Sequence, residues 1–225
     1  VEGFRYESCS SGGSMKDFLT MTRAVVINND DSANYNSLRT TFYDSSYCIH
    51  PAQLQLPCNP DTFCRESQFY DEPGDKDYGM RSVIIGVPMF GSWSGPEDGK
   101  LRFGLNEYYA KYLNMYNEKI KPIQRDGELY HILPRPDNVN WDGIQYADPD
   151  SPNEIKGVVF LFKPTDSEGA VKNIVLRGLD PDAAYSLEFE DRPEQNTSKT
   201  GAELMSAGIE VTIEQECGSE IIWIK

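Results

Sequence analysis

The sequence has little positive charge and no long apolar run. Its 225 residues include 21 Lys and Arg against 36 Asp and Glu, which gives a formal net charge of −15. Residues 123–225 alone hold 20 acidic and 9 basic side chains. This charge argues against nucleic acids and anionic membrane surfaces as partners. No apolar stretch approaches the roughly 20 residues that span a bilayer, and the first residues lack the basic start and apolar stretch of a signal peptide.

Cysteine is also scarce and irregularly spaced. The five cysteines are an odd number, which favours reduced thiols over a disulfide framework and the cytoplasm over secretion, although the localisation stays open. The cysteines and the histidine that could bind zinc lack the Cys-x-x-Cys pair typical of zinc sites, so no metal and no cofactor are expected. A Cys58–Cys64 disulfide is the better alternative for a secreted protein. The residues of the conceivable zinc set are Cys48, His50, Cys58 and Cys64.

The composition is that of a folded globular protein. Apolar residues make up 39% of the chain and aromatic residues 12%, which differs from the composition of disordered segments. The length allows one or two domains with a substantial core. Because the sequence begins with Val1 in an apparent strand, we expect a piece of a longer protein.

The first 31 residues predict two buried strands joined by a glycine-containing loop and a short helix. Phe4 and its neighbours suit the first strand, and residues 24–27 form an apolar run typical of a parallel sheet. Between them, glycines in residues 9–13 allow the backbone to approach a ligand closely. Asp30 and Asp31 directly follow the second strand. In a β/α barrel, catalytic groups lie at this carboxyl edge of the sheet.

The following residues predict further helices, strands and a long loop. The spacing of apolar residues predicts a helix over 33–43, with Asp31 or Ser32 as its N-cap. A longer amphipathic helix over 106–123 ends near Pro122. The remaining predictions are a strand at 45–49, an irregular loop at 50–79 and a buried strand at 81–86.

The second half predicts an antiparallel β-sandwich. Short β-type runs alternate with turn signals rich in Pro, Asp and Gly, at the spacing of sandwich strands. Seven strands are expected, at 129–133, 143–147, 157–162, 172–176, 185–189, 209–213 and 221–224.

Several phrases of the sequence resemble one enzyme family. They are the ESCSSGG segment at 7–13, the pair Asp30–Asp31, and the phrases GELYHIL, LRGLDPDAAY and GAELMSAGI of the second half. Together they resemble glycoside hydrolase family 36, the melibiase-type α-galactosidases. The resemblance implies the C-terminal half of a (β/α)8 barrel over residues 1–124, followed by an antiparallel β-sandwich over 125–225. The family's Trp-Thr-Ser before the Asp pair is replaced here by Ile27-Asn28-Asn29.

The resemblance also implies an activity and a site. Retaining glycosidases use two carboxyl groups roughly 5 Å apart, and Asp30 matches the family's general acid/base. The family's nucleophile lies in a Lys-x-Asp context that this sequence lacks. We therefore expect the nucleophile upstream, the upstream half of the same barrel as a partner, and an inactive isolated chain. The expected contacts of an α-galactoside or related oligosaccharide or glycoconjugate are Cys9, Ser11, Gly12, Gly13 and Trp93.

Other interpretations stay open at this point. An α-N-acetylgalactosaminidase of the same family requires only local change around Cys9. A non-catalytic carbohydrate-binding or structural β-sandwich module needs neither Asp30 nor the Cys9 loop. A metal-binding module built on the Cys48–Cys64 region is the third alternative, and a homo-oligomer stays open for each of them.

Overall fold

The computed structural model describes residues 4–14, 16–31, 34–58, 76–90 and 106–225. The chain divides into two compact units, Val1–Glu72 with Gly79–Tyr116 and Pro73–Tyr78 with Asn117–Lys225. The predicted domain boundary after residue 124 stays a prediction. Within the described ranges, no helix combines the length and the apolarity that a membrane crossing requires.

The first unit contains a four-stranded parallel sheet in the order β1-β2-β3-β4. Its strands are β1 (Glu7–Ser8), β2 (Val26–Asn28), β3 (Leu54–Cys58) and β4 (Val87–Phe90). Its helices are α1 (Ser10–Gly13), α2 (Phe18–Arg23), α3 (Tyr35–Ser45), a 3-10 turn (Pro51–Gln53), α5 (Asn106–Met115) and, from Gly79 onward, α4 (Lys76–Ile84). Helices alternate with parallel strands as in a β/α barrel.

The two faces of this sheet differ in character. Ile27 pairs with Leu54 across β2 and β3, and both side chains are fully buried, as is Phe42 of α3. The next pair in register is Asn28 with Gln55. Because side chains alternate along a strand, these two amides lie on the face opposite Ile27 and Leu54.

Two predicted strands of the first unit are wrong. Residues 45–49 form the end of α3 and a turn, and residues 81–86 belong mostly to α4. A short buried apolar run fits a helix as well as a strand, which explains the second error. The true strand β3 lies inside the segment predicted as a loop. Phe4 is 72% exposed rather than buried in a strand.

The long helix predicted at 106–123 is present and continues past Pro122. After α5 the chain makes a π-helical turn (Tyr116–Ile120) and enters α6 (Lys121–Asp126). Pro122 occupies the first turn of α6. A proline there costs little, because the amide hydrogens of a first turn have no partner within the helix.

The second unit is an antiparallel sandwich, as the sequence predicts. A six-stranded sheet in the order β10-β9-β12-β7-β6-β5 faces a two-stranded sheet, β11-β8. The seven predicted strands are confirmed, and β10 was missed. The strands are β5 (Glu128–His131), β6 (Asp142–Ala147), β7 (Gly157–Lys163), β8 (Val171–Ile174), β9 (Ala184–Phe189), β10 (Thr197–Thr200), β11 (Ile209–Thr212) and β12 (Gly218–Ile224), with a 3-10 turn (Pro193–Gln195) and α7 (Gly201–Ser206).

The sandwich core consists of inward-facing aliphatic and aromatic side chains from both sheets. Val159, Leu161 and Leu187 of the larger sheet are fully buried together with Ile174 and Val211 of the smaller one. Because side chains alternate along each strand, one residue in two faces this core.

Candidate functional site

The glycine-rich segment after β1 forms a closed turn. The Gly13 amide donates a hydrogen bond of 2.8 Å to the Cys9 carbonyl oxygen. Gly12 has φ +66° and Gly13 has φ +78°, which is the left-handed region that glycine enters without steric cost. The shape of this turn therefore requires glycine at both positions.

The same glycines allow the turn to rest on the end of β2. A Cβ atom at Gly12 would lie 2.6 Å from Asp31 Oδ2, and a Cβ atom at Gly13 would collide with the Asn28 main-chain oxygen. The backbone of the turn is thus in direct contact with the residues that follow the strand. The approach of this backbone to a ligand, which the sequence predicts for residues 9–13, stays a prediction.

Asp31 faces this turn. Asn28 Nδ2 donates a hydrogen bond of 2.5 Å to Asp31 Oδ1 and a second, of 3.4 Å, to Cys9 Sγ. Asn28 is buried, whereas Asp31 and Cys9 are exposed. The arrangement presents an accessible carboxylate, a thiol and a glycine backbone side by side at the carboxyl edge of the parallel sheet.

Asp30 faces the opposite direction, towards α3. Its Oδ2 accepts hydrogen bonds from Ser37 Oγ at 2.8 Å and from Thr41 Oγ1 at 3.2 Å. Thr41 also accepts a hydrogen bond of 3.1 Å from Asn29 Nδ2. The two adjacent carboxylates therefore have different surroundings, because consecutive side chains point to opposite sides of an extended backbone.

A lysine that the sequence reasoning missed lies near Asp30. Lys16 Nζ donates to the Asn29 carbonyl oxygen at 2.8 Å and to Ser45 Oγ at 3.2 Å. Partial burial lowers the pKa of Lys16, and the negative charges of Asp30 and Asp44 oppose that effect. Lys16 thus stabilises the strand end and contributes a positive charge on the Asp30 side.

The other predicted site residues receive less support. The N-cap of α3 is Asn34, whose Oδ1 accepts from the Ser37 amide at 3.1 Å, so the predicted N-cap at Asp31 or Ser32 is wrong. Trp93 lies outside the described residues, as does the side chain of Ser11. Their predicted roles stay predictions.

The described residues offer no group of three or more metal-ligating side chains. Cys48 and His50 are exposed, whereas Cys58 is buried, and this burial raises the pKa of its thiol. The fourth member of the conceivable zinc set, Cys64, lies outside the described residues.

Comparison with known proteins relates this chain to one family of enzymes. Residues 141–224 match the family described as glycosyl hydrolase family 36 C-terminal domain. The resemblance to this family is thereby confirmed, and residues 141–224 are the part of the chain that matches this domain.

Two curated relatives are named α-galactosidase C. A probable α-galactosidase C of Aspergillus terreus is 24% identical over 109 residues, and an α-galactosidase C of Emericella nidulans is 28% identical over the same length. Each match covers 48% of this chain and 13% of the relative. The match thus covers about an eighth of the length of these relatives.

Solved structures establish the fold over nearly the whole chain. The α-galactosidase from Lactobacillus brevis matches with a TM-score of 0.76 at 17% identity, covering 98% of this chain and 29% of that one. The family 36 α-galactosidase AgaB from Geobacillus stearothermophilus gives a TM-score of 0.72 at 16% identity, covering 97% and 28%. The predicted fold class, part of a (β/α)8 barrel followed by an antiparallel sandwich, is therefore confirmed.

Proposed function

We propose that this chain is the C-terminal part of a retaining, exo-acting α-galactosidase-like glycoside hydrolase and supplies its general acid/base. The curated relatives are named α-galactosidases. Variants of a related enzyme from Geobacillus stearothermophilus have been solved in complex with raffinose and with stachyose, both of which are galactosides. No cofactor is required for this chemistry.

The orientation of the Asp pair carries the assignment of the acid/base residue. The sequence pattern assigns this role to Asp30, but the Asp30 carboxylate accepts hydrogen bonds from the side chains of α3. Asp31 instead lies against the Gly12 backbone, beside Cys9. We therefore favour Asp31 as the residue that touches the substrate, with Asp30 positioning the strand end relative to α3.

The proposed mechanism divides the reaction between two carboxyl groups. Asp31 donates its proton to the glycosidic oxygen as that bond breaks, while a nucleophilic carboxylate outside this chain attacks the anomeric carbon. The Asp31 carboxylate then removes a proton from water, which attacks the glycosyl-enzyme and releases the sugar. Asn28 fixes the carboxyl group by donating to Oδ1, so that Oδ2 is available for the proton.

A panel of aryl α-glycosides tests the function. We expect the complete polypeptide that carries this chain to cleave the α-galactoside fastest, and NMR to detect the α-anomer of galactose first. The 225-residue chain alone should release no aryl alcohol. First release of the β-anomer would contradict the retaining mechanism. Preference for the N-acetylgalactosaminide would support the alternative substrate, and binding without hydrolysis would support a non-catalytic module.

A further inference from the structure

Two buried amide oxygens at the candidate site have no hydrogen-bond donor among the described residues. They are Asn28 Oδ1 and Gln55 Oε1. Asn28 is 2% exposed and Gln55 is 8% exposed, so bulk water reaches neither oxygen freely. Buried polar atoms are normally paired, and an unpaired acceptor at a functional edge indicates that a ligand or an ordered water donates to it.

The sheet register brings these two side chains together. Asn28 of β2 and Gln55 of β3 are direct partners in the parallel pairing. Neighbouring strands lie about 4.8 Å apart, so partners in register share one face at that spacing. On the same face, Val26 and Val87 are only half-buried, in contrast to the fully buried face that packs with α3.

The amide pair adjoins the proposed catalytic group. Asn28 already donates to Asp31 and to Cys9, so its nitrogen is used and its oxygen is the atom that lacks a partner. A ligand at this position must therefore supply hydrogen-bond donors next to the Asp31 carboxylate. Neutral hydroxyl groups meet this requirement, because each can donate to an amide oxygen and accept a bond from elsewhere.

We propose that Asn28 and Gln55 form a binding pair for hydroxyl groups of the sugar whose glycosidic bond Asp31 protonates. This inference rests on the proposed function and adds two specificity-determining residues to it. The pair holds the sugar ring against the glycine turn, and deletion of either amide weakens binding of the hydroxyl that it contacts. Deletion of the Asn28 amide also removes the hydrogen bond that fixes Asp31, whereas deletion of the Gln55 amide leaves that bond in place.

The control for this proposal is Asn29. It has the same side chain, is 2% exposed and also has an unpaired Oδ1 among the described residues, but its Nδ2 donates to Thr41 of α3. Asn29 thus lies on the helix-facing side of the sheet. Its replacement affects the fold of the strand end but removes no contact with a sugar.

The test is a double-mutant cycle between protein and ligand. In the complete polypeptide, dissociation constants of D-galactose and its monodeoxy derivatives are measured by calorimetry for wild type, Asn28→Leu, Gln55→Met and Asn29→Leu. In wild type, removal of the contacted hydroxyl should weaken binding about tenfold, as expected for a lost hydrogen bond to a buried acceptor. In the variant that lacks the contacting amide, removal of the same hydroxyl should weaken binding less than twofold. The loss of affinity caused by removal of any other hydroxyl should be the same as in wild type.

The outcomes separate this inference from the proposed function. If each deoxy sugar loses the same affinity in Asn28→Leu and in Gln55→Met as in wild type, the proposed amide pair is overturned, even if galactosides are hydrolysed. The same coupling in Asn29→Leu would also overturn it. Failure of wild type both to bind galactose and to cleave any galactoside would contradict the function itself. If Asn28→Leu fails to fold, Gln55→Met on the neighbouring strand decides the question alone.

Discussion

At the scale of single residues, Gly12 determines how closely the turn approaches Asp31. We predict that Gly12→Ala lowers kcat of the complete polypeptide at least about tenfold, because the new methyl group would lie 2.6 Å from Asp31 Oδ2 and displace the carboxylate. Steady-state kinetics on an activated aryl α-galactoside measure this effect.

The matched control is Gly169, in the sandwich. Its φ is +78°, so alanine suffers the same kind of backbone strain, but its Cβ would meet no atom within 4 Å. Gly169→Ala should cost about 1 kcal/mol of stability and leave kcat unchanged. Equal kcat in the two variants would show that the Gly12 contact does not position the carboxylate.

Residue patterns predicted the local structure around residues 9–13 and 30–31 better than the orientation of the side chains there. The glycine-containing turn and the Asp pair at the strand end were evident in the sequence, because a tight turn that contacts other backbone requires glycine and the apolar run before Asp30 marks a strand. The division between Asp30 and Asp31 was not evident, since a shift of one residue reverses the side of the backbone on which a side chain lies. The role of Gln55 was missed because its strand was predicted as a loop.

At the scale of secondary structure, the short helix α7 depends on a capping box. Glu203 accepts a hydrogen bond of 2.8 Å from the Thr200 amide, and the Thr200 hydroxyl accepts one of 3.2 Å from the Glu203 amide. The hydrogen bond from the Thr200 amide is the main cause that lowers the pKa of Glu203. The ionised carboxylate therefore stabilises the start of the helix.

This capping box predicts a pH-dependent variant. A carboxyl group with a lowered pKa in the folded state stabilises the protein above its unfolded pKa of about 4.3, and this contribution disappears as the pH falls through the folded pKa. Glu203→Gln should therefore be less stable than wild type at pH 6 and equally stable near pH 3. Urea unfolding at both pH values measures the difference. The exposed Glu210→Gln serves as a charge control, and a difference that persists at pH 3 would refute the electrostatic contribution.

Elements of the sandwich were predicted more accurately than those of the parallel sheet. The outer strands β9 and β11 alternate more and less buried residues, and this period-two pattern is distinct from that of a helix. The central strands β6, β7 and β12 are buried throughout and were predicted from the turn signals that flank short β-type runs. The strands β3 and β4 lack that alternation, and the apolar residues of α4 are buried nearly all round. Apolar sequence without alternation does not distinguish a helix from a strand, which accounts for the wrong assignment of residues 81–86.

At the scale of the whole molecule, the second unit needs its helical segment. The six-stranded sheet has a second apolar face, which includes Tyr146, Phe162 and Trp223. Gln124 Nε2 donates to the Tyr146 hydroxyl at 3.4 Å, and Lys119 Nζ lies 4.8 Å from the centre of the Trp223 ring. The residues that precede the sandwich thus cover part of this face.

We therefore predict that residues 106–225 unfold at a higher urea concentration than residues 125–225. The shorter segment should also increase the fluorescence of a hydrophobic dye, because its uncovered apolar face is large. Equal stability of the two segments would show that the sandwich beginning at residue 125 is complete, as the sequence-based boundary proposes. Both segments retain the strands of the sandwich, so circular dichroism controls for loss of the fold.

The most direct test of the central claim is chemical rescue of Asp31→Ala by azide in the complete polypeptide. If Asp31 is the acid/base, the variant should be slow on poor leaving groups and much less impaired on dinitrophenyl α-galactoside, because that leaving group needs no proton. Azide should then accelerate turnover and form α-galactosyl azide, whereas Asp30→Ala should form none. Formation of the azide product by Asp30→Ala alone would transfer the role to Asp30. Absence of the product from both variants would contradict an acid/base within this chain.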